Sequence, residues 1–146
     1  MALVPTPVTV VTAPGTSSPA GATANAVASL SLEPPLMLVC LDRRSRTLAA
    51  VRQQGRFAVN VLGADSEGHA RRFAAPVPHE QKWEGVGWTE HAGTPVLDEA
   101  IVWVACELRD LLDGGDHVIV TGAVTELGQR EGTPLIFHGS AYRPLG

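Results

Sequence analysis

The first sustained signal in the chain is Val8-Thr9-Val10-Val11-Thr12, β-branched at every position and halted by the turn-rich run Pro14-Gly15-Thr16-Ser17-Ser18-Pro19. This pattern predicts a strand entering a hairpin, with the return strand near residues 20–24. Beyond Pro34-Pro35 comes Leu36-Met37-Leu38-Val39-Cys40-Leu41, whose unbroken apolar character predicts a strand buried on both faces at the centre of the sheet. Ser45 stands where it caps a helix that carries Leu48, Ala49, Val51 and Arg52 and stops at Gly55. Phe57-Ala58-Val59-Asn60-Val61-Leu62 alternates with a period of two and predicts a strand. Residues 66–73 predict a second short helix with His69, Arg71 and Arg72 outward, and residues 76–87 read as loop. Two long strands, 100–111 and 117–127, flank Asp113-Gly114-Gly115-Asp116, which has the chemistry of a tight reversal. A last hairpin pairs 135–138 with 141–143.

Six or seven strands joined mainly by turns, with two short helices, describe a mainly β, largely antiparallel protein rather than a βαβ sheet. A closed barrel is the economical form, because closure removes the edges that strands this apolar would offer to other chains. The 146 residues suit one domain spanning 1–146, and 45% hydrophobic with 18% charged residues is a composition that folds. The longest fully apolar stretch, residues 100–106, is far short of the roughly 20 residues a helix needs to cross a bilayer, so no membrane association is expected. Met-Ala-Leu-Val-Pro-Thr-Pro at the start lacks the basic and apolar regions of a secretory signal, which places the protein in the cytoplasm. Cys40 and Cys106 sit in apolar runs and read as free, buried thiols. A net charge of -4 argues against general nucleic-acid binding, although five arginines (Arg43, Arg44, Arg46, Arg52, Arg56) crowd into one short segment.

The chain has no GxSxG elbow, no close spacing of its histidines that suits a metal, and no GxGxxG or P-loop. Residues 21–35 are instead rich in small and hydroxyl side chains between apolar strands. Small residues let a planar ring approach the main chain, and Asn25, Ser29 and Ser31 add polar groups; the same composition also suits a polar turn between strands. Asp42-Arg43-Arg44-Ser45-Arg46-Thr47 stands at a helix start, where free N–H groups, the Arg46 guanidinium and the Ser45 and Thr47 hydroxyls suit an anion. Ordinary capping on a solvated surface accounts for that segment equally well. His117 opens a strand, where it either points into a site or tops the barrel.

Taken in order, Val-Thr-Val-Val-Thr, Thr23-Ala24-Asn25, Ser29-Leu30-Ser31-Leu32-Glu33-Pro34-Pro35-Leu36, Cys40-Leu41-Asp42, Ser45-Arg46-Thr47, Phe57-Ala58-Val59-Asn60-Val61-Leu62, Arg72-Phe73 and Gly115-Asp116-His117 resemble the flavin reductase-like family, the reductase components of two-component flavin monooxygenases. The resemblance implies an antiparallel Greek-key split β-barrel that binds FMN, or FAD, and works as a homodimer with flavin near the subunit interface. It implies that hydride passes from the nicotinamide C4 of NADH or NADPH to flavin N5, and that reduced flavin leaves for a partner flavin-dependent monooxygenase. By the match, Thr23, Ala24 and Asn25 flank the isoalloxazine, while Ser31, Asp42, Ser45 and Thr47 hold the ribityl chain and phosphate. Arg72 and Phe73 lie close by, His117 stands beside the nicotinamide and flavin rings, and Tyr142 borders the site. Family members carry a helix before the first strand, whereas only seven residues precede Val8 here, so that helix is expected to be missing or truncated. The departure leaves a second expectation open, a flavin- or small-molecule-binding barrel without reductase turnover.

Overall fold

The computed structural model describes residues 2–146, and its main sheet has seven antiparallel strands. In chain order the strands are β1 (Thr6–Pro7), β2 (Thr9–Ala13), β3 (Ala20–Ala24), β4 (Val27–Leu32), β5 (Pro35–Asp42), β6 (Arg56–Val61), β7 (Trp88–His91), β8 (Thr94–Leu97), β9 (Val102–Gly114), β10 (His117–Gln129), β11 (Leu135–His138) and β12 (Ala141–Pro144). Helix α1 (Arg46–Gln54) precedes β6, while α2 (Glu67–Ala74) and α3 (His79–Trp83) lie between β6 and β7. The main sheet runs β3-β2-β6-β9-β10-β5-β4; β1-β11-β12 and β7-β8 form smaller sheets.

The strand order forces closure. β3 and β4 are the two edges of the sheet, yet only Asn25 and Ala26 separate them in the chain. Laid flat, seven strands at roughly 4.8 Å spacing would hold those edges about 29 Å apart, whereas three peptide units reach about 11 Å. The sheet therefore curls into a barrel, with Greek-key connections that set β2 beside β6 and β5 beside β10.

One core fills the barrel and includes Val11, Val39, Leu48, Phe57, Val59 and Val120. A second, with Val10, Leu62, Phe73 and Trp83, lies between the barrel wall and helices α2 and α3. β2 is buried at all five positions because its two faces serve the two cores. That corrects the reading of β5, which lies next to an edge, with β9 at the middle of the sheet. Leu36, Met37 and Leu38 remain half-buried, so the apolar run does not mark burial on both faces.

The local signals explain most elements. Ser45 Oγ accepts from the Thr47 and Leu48 amides at 3.2 and 3.3 Å, and Gly55 ends α1 at φ 72° while its N–H reaches Val51 O at 2.8 Å. Helix α3 is a third helix inside the segment read as loop; five residues are too few to show a period. The β7-β8 hairpin also lacked a visible turn signal, because its two-residue loop is Ala92-Gly93, both at positive φ, instead of Asn-Gly. Residues 27–32, between small residues and prolines, form edge strand β4.

Gly122 sits where β10 slips register against β9, and a Cβ there would stand 2.6 Å from both Cys106 Cβ and the Phe57 ring. Gly122→Ala is therefore expected to destabilise the fold by about 1–3 kcal/mol through overpacking. In thermal denaturation followed by circular dichroism this appears as a loss of about 2–4 °C in Tm per kcal/mol; an unchanged Tm would mean the Phe57 ring moves aside freely.

Candidate active site

A cavity of about 560 Å³ opens where the two sheet edges meet, roofed by α2 and α3. Its floor is Ala22, Thr23, Ala24, Asn25 and Ala26, from β3 and the connection to β4. The three alanines leave the main chain within reach of a flat ligand, and the Ala26 carbonyl anchors the connection by accepting from Cys40 N at 2.9 Å. Among the described residues Asn25 Oδ1 is buried with no hydrogen-bond partner, an acceptor left for something that enters the cavity.

The helical roof is fixed to the floor by close contacts. Thr23 Oγ1 donates to Ala70 O at 2.6 Å, joining β3 to α2. A Cβ on Gly21 would stand 2.7 Å from the Phe73 ring, so glycine is what lets that ring lie on the strand. Phe73 meets Trp83 edge to face at 5.0 Å, which brings α3 onto the same surface. From α3, the buried Lys82 ammonium reaches Gly21 O at 3.0 Å and lines the cavity.

At the mouth, His117 and Asp42 stand opposite one another across the β5-β10 pairing. His117 Nδ1 lies 2.7 Å from Asp116 Oδ1, which orients the ring. Asp42 Oδ1 accepts from Arg44 N at 2.8 Å; that bond, joined by the Arg44 charge, holds the carboxyl below the usual aspartate range against the opposing effect of burial. Phe137 and Tyr142, paired at 5.3 Å, close the remaining side, and the Arg71 guanidinium covers the Tyr142 ring at 5.0 Å.

Of the residues singled out in the sequence, Thr23, Ala24, Asn25, Asp42, Ser45, Phe73, His117 and Tyr142 line this one cavity. Ser29 and Ser31 lie on β4 outside the lining, Ser29 exposed and Ser31 half-buried. Arg46 turns to Val77 O at 2.7 Å, and Thr47 is buried with its hydroxyl unpartnered among the described residues. Arg72 binds the carbonyls of Gln81 and Glu84 at 3.1 and 2.6 Å and so fastens α3 to α2. Sequence reasoning missed Lys82 and Phe137. The signals present were that Lys82 is the sole lysine and that Phe137 lies in the hairpin carrying Tyr142, where the two pair directly.

A small-residue floor, aromatic sides and a few polar groups at the edges fit a flat ring with hydrogen-bonding edges, the shape of an isoalloxazine. A family model described as flavin reductase like domain matches residues 1–146. The chain belongs to the flavin reductase-like family. This flavin reductase is 44% identical over 138 residues to a flavin reductase (NADH) of Kitasatospora aureofaciens, covering 92% of this chain and 71% of that one. It is 38% identical over 139 residues to the reductase subunit HsaB of a flavin-dependent monooxygenase of Rhodococcus jostii (strain RHA1), covering 94% and 70%. The solved structure of the NADH:FAD oxidoreductase SgcE6 of Streptomyces globisporus C-1027, in complex with NAD and FAD fragments, superposes with a TM-score of 0.92 at 34% identity, over 99% of this chain and 88% of that one. The enzyme is accordingly an NAD(P)H:flavin oxidoreductase with a split-barrel fold, using a flavin and a nicotinamide nucleotide. Among the described residues no helix is long and apolar enough to cross a membrane.

His79, at the start of α3, has both ring nitrogens buried without partners among the described residues, and burial, then the charges of Lys82 and Arg46, push its pKa below the usual histidine value. The unfolded chain therefore binds this proton more readily, so the stability at stake is full above the unfolded pKa near 6.5 and is lost as pH falls toward the lowered folded value. His79→Gln, neutral throughout, is expected to lose less thermal stability than the parent between about pH 7.5 and about pH 5.5. Parallel Tm profiles for the two proteins would rule this out.

Proposed function

We propose that the cavity between β3, β5 and α2 holds flavin and nicotinamide together, and that residues 1–146 act as one catalytic domain passing reduced flavin to a partner monooxygenase. The observation that carries this reading is the alanine floor around Asn25, whose buried Oδ1 has no partner among the described residues and offers an acceptor to a ring N–H. The bound flavin supplies the hydride acceptor, and no residue of the chain needs to form a covalent bond. The protein's part is positioning. Ala22, Ala24 and Ala26 admit a ring against the backbone, Phe73 and Tyr142 bound it, and Thr23 acts through its bond to Ala70 O by keeping α2 in place. Asp42 and Ser45 lie where the polar chain of the flavin leaves the ring, and Ser29, Ser31, Thr47 and Arg72 support the surrounding elements from outside the lining.

His117 is the residue to which we assign the rings' open edge. Asp116 fixes its orientation through Nδ1, leaving Nε2 for the ligands. His117→Ala is expected to lower the rate of hydride transfer by up to on the order of 10²-fold through lost positioning, with Tm and oxidised-flavin affinity nearly unchanged. Stopped-flow flavin reduction checks this, and an unchanged rate in a folded variant returns His117 to a structural role. Steady-state NADH and NADPH oxidation with FMN, FAD and riboflavin tests the activity itself.

The second part of the proposal is a homodimer. Leu30 and Leu32 on edge strand β4 are 46% and 88% exposed, and Leu112 and Leu127 on the long β9-β10 hairpin are 51% and 64% exposed. Apolar residues concentrated on these strands fit a face that a second copy covers. Light scattering is expected to report twice the chain mass of 15.3 kDa; a monomer with full reductase activity would overturn the dimer. The free thiols Cys40 and Cys106 suit the reducing cytoplasm.

A further inference from the structure

The wall of the cavity that carries Tyr142 stands apart from the main sheet. β12 pairs with β11 alone and forms the outer edge of the sheet β1-β11-β12, in which β1 sets only Thr6 and Pro7 against Phe137 and Ile136. The root of this hairpin is tied to the barrel, by Val8 N to Leu135 O at 3.2 Å and by Leu135 N to Leu62 O at 3.0 Å. Its tip turns at Gly139 and Ser140, both at positive φ, and is bonded back only through Gly139 N to Ala2 O at 2.8 Å. Among the described residues no backbone hydrogen bond joins β12 to the helical roof.

A side chain from α2 crosses that gap. The Arg71 guanidinium lies over the Tyr142 ring, 5.0 Å from its centroid, while Arg71 Nε donates to Glu67 Oε2 at 2.8 Å, one helical turn back. Glu67 thus aims the guanidinium, and the electron-rich face of the ring attracts it. Phe137 meets the same ring at 5.3 Å and 63°, so Tyr142 is held by a neighbour on its own hairpin and by a cation on the roof. Arg72, the next residue, bonds the carbonyls of Gln81 and Glu84 instead, so consecutive arginines fasten different elements to α2. Phe73 of α2 and Tyr142 of the hairpin both line the cavity, and parting the hairpin from α2 would widen it.

We propose, resting on the flavin reading of the cavity, that Arg71 is a positioning residue that latches the Tyr142 wall to α2 and so sets how fast flavin leaves. Reduced flavin that serves another protein must depart in every cycle, which requires a wall that opens. A cation over an aromatic ring at an exposed site is weak enough to break on each turnover and strong enough to favour the closed form several-fold. Arg71 does not line the cavity, so it acts through Tyr142 on release and not on the hydride transfer itself.

The test measures flavin dissociation by stopped flow, and single-turnover reduction of bound flavin, in the wild type, Arg71→Met, Tyr142→Leu and the double variant. Arg71→Met is expected to speed release of FMN and FAD by about two- to fivefold while reduction of bound flavin changes by less than about twofold. Adding Arg71→Met to Tyr142→Leu is expected to change release no further, because the ring it grips is gone; in Tyr142→Phe, which keeps the ring, the effect of Arg71→Met persists. Unchanged release in Arg71→Met, or an equal effect with and without the ring, overturns the proposal. A second measurement needs no flavin. Tyr142 is the chain's one tyrosine, so carbon-13 labelling of tyrosine rings gives NMR signals from this residue alone. Arg71→Met is expected to shift and broaden them as the ring samples open positions, and signals unchanged in position and width also overturn the proposal. If the wild type binds no flavin, the flavin reading fails on its own, while these signals still decide whether Arg71 holds Tyr142.

Discussion

Everything at the site depends on a two-residue connection between the opposite edges of a seven-stranded sheet. Asn25 and Ala26 are too short a link for any flat arrangement, so the strand order allows only a curled one. Where the edges meet, the end of β3 and the connection to β4 line the cavity. The cavity is thus a consequence of closure, and the small side chains at 22, 24 and 26 keep it open.

The roof depends on the same place. Gly21 admits the Phe73 ring, Thr23 holds the Ala70 carbonyl, and Lys82 reaches back to the Gly21 carbonyl, so three contacts within three residues of β3 dock two helices. Arg46 and Arg72 tether the segment carrying α3 through backbone carbonyls at Val77, Gln81 and Glu84.

Much of this was legible in the chain. β2, the β9-β10 reversal, the Ser45 cap and the Gly55 stop are local chemistry, readable because each needs only neighbouring residues. The ordered motifs of residues 23–25, 42 and 117 led to the cavity before its geometry was known. Helix α3 and the β7-β8 hairpin were not legible, since a single helical turn has no period and Ala92-Gly93 lacks the usual turn pair. The apolar run of β5 was overread, because hydrophobicity reports that a surface is to be covered and not what covers it.

By itself, the sequence determined most of the segments that extend or coil, that the protein is a mainly β flavin reductase, and that residues 21–26 are small enough for a flat ligand. Periodicity, caps and turn pairs act over a few residues, and such short-range preferences survive in the linear order. Tertiary structure alone decided that Lys82, distant in sequence from the floor, stands at the cavity wall, that Arg72 serves as a tether, and that Phe137 pairs with Tyr142 at the side of the site. Those placements depend on how a closed sheet brings residues 21, 82, 117 and 142 together, and no local pattern encodes a contact whose partners meet only after the barrel has closed.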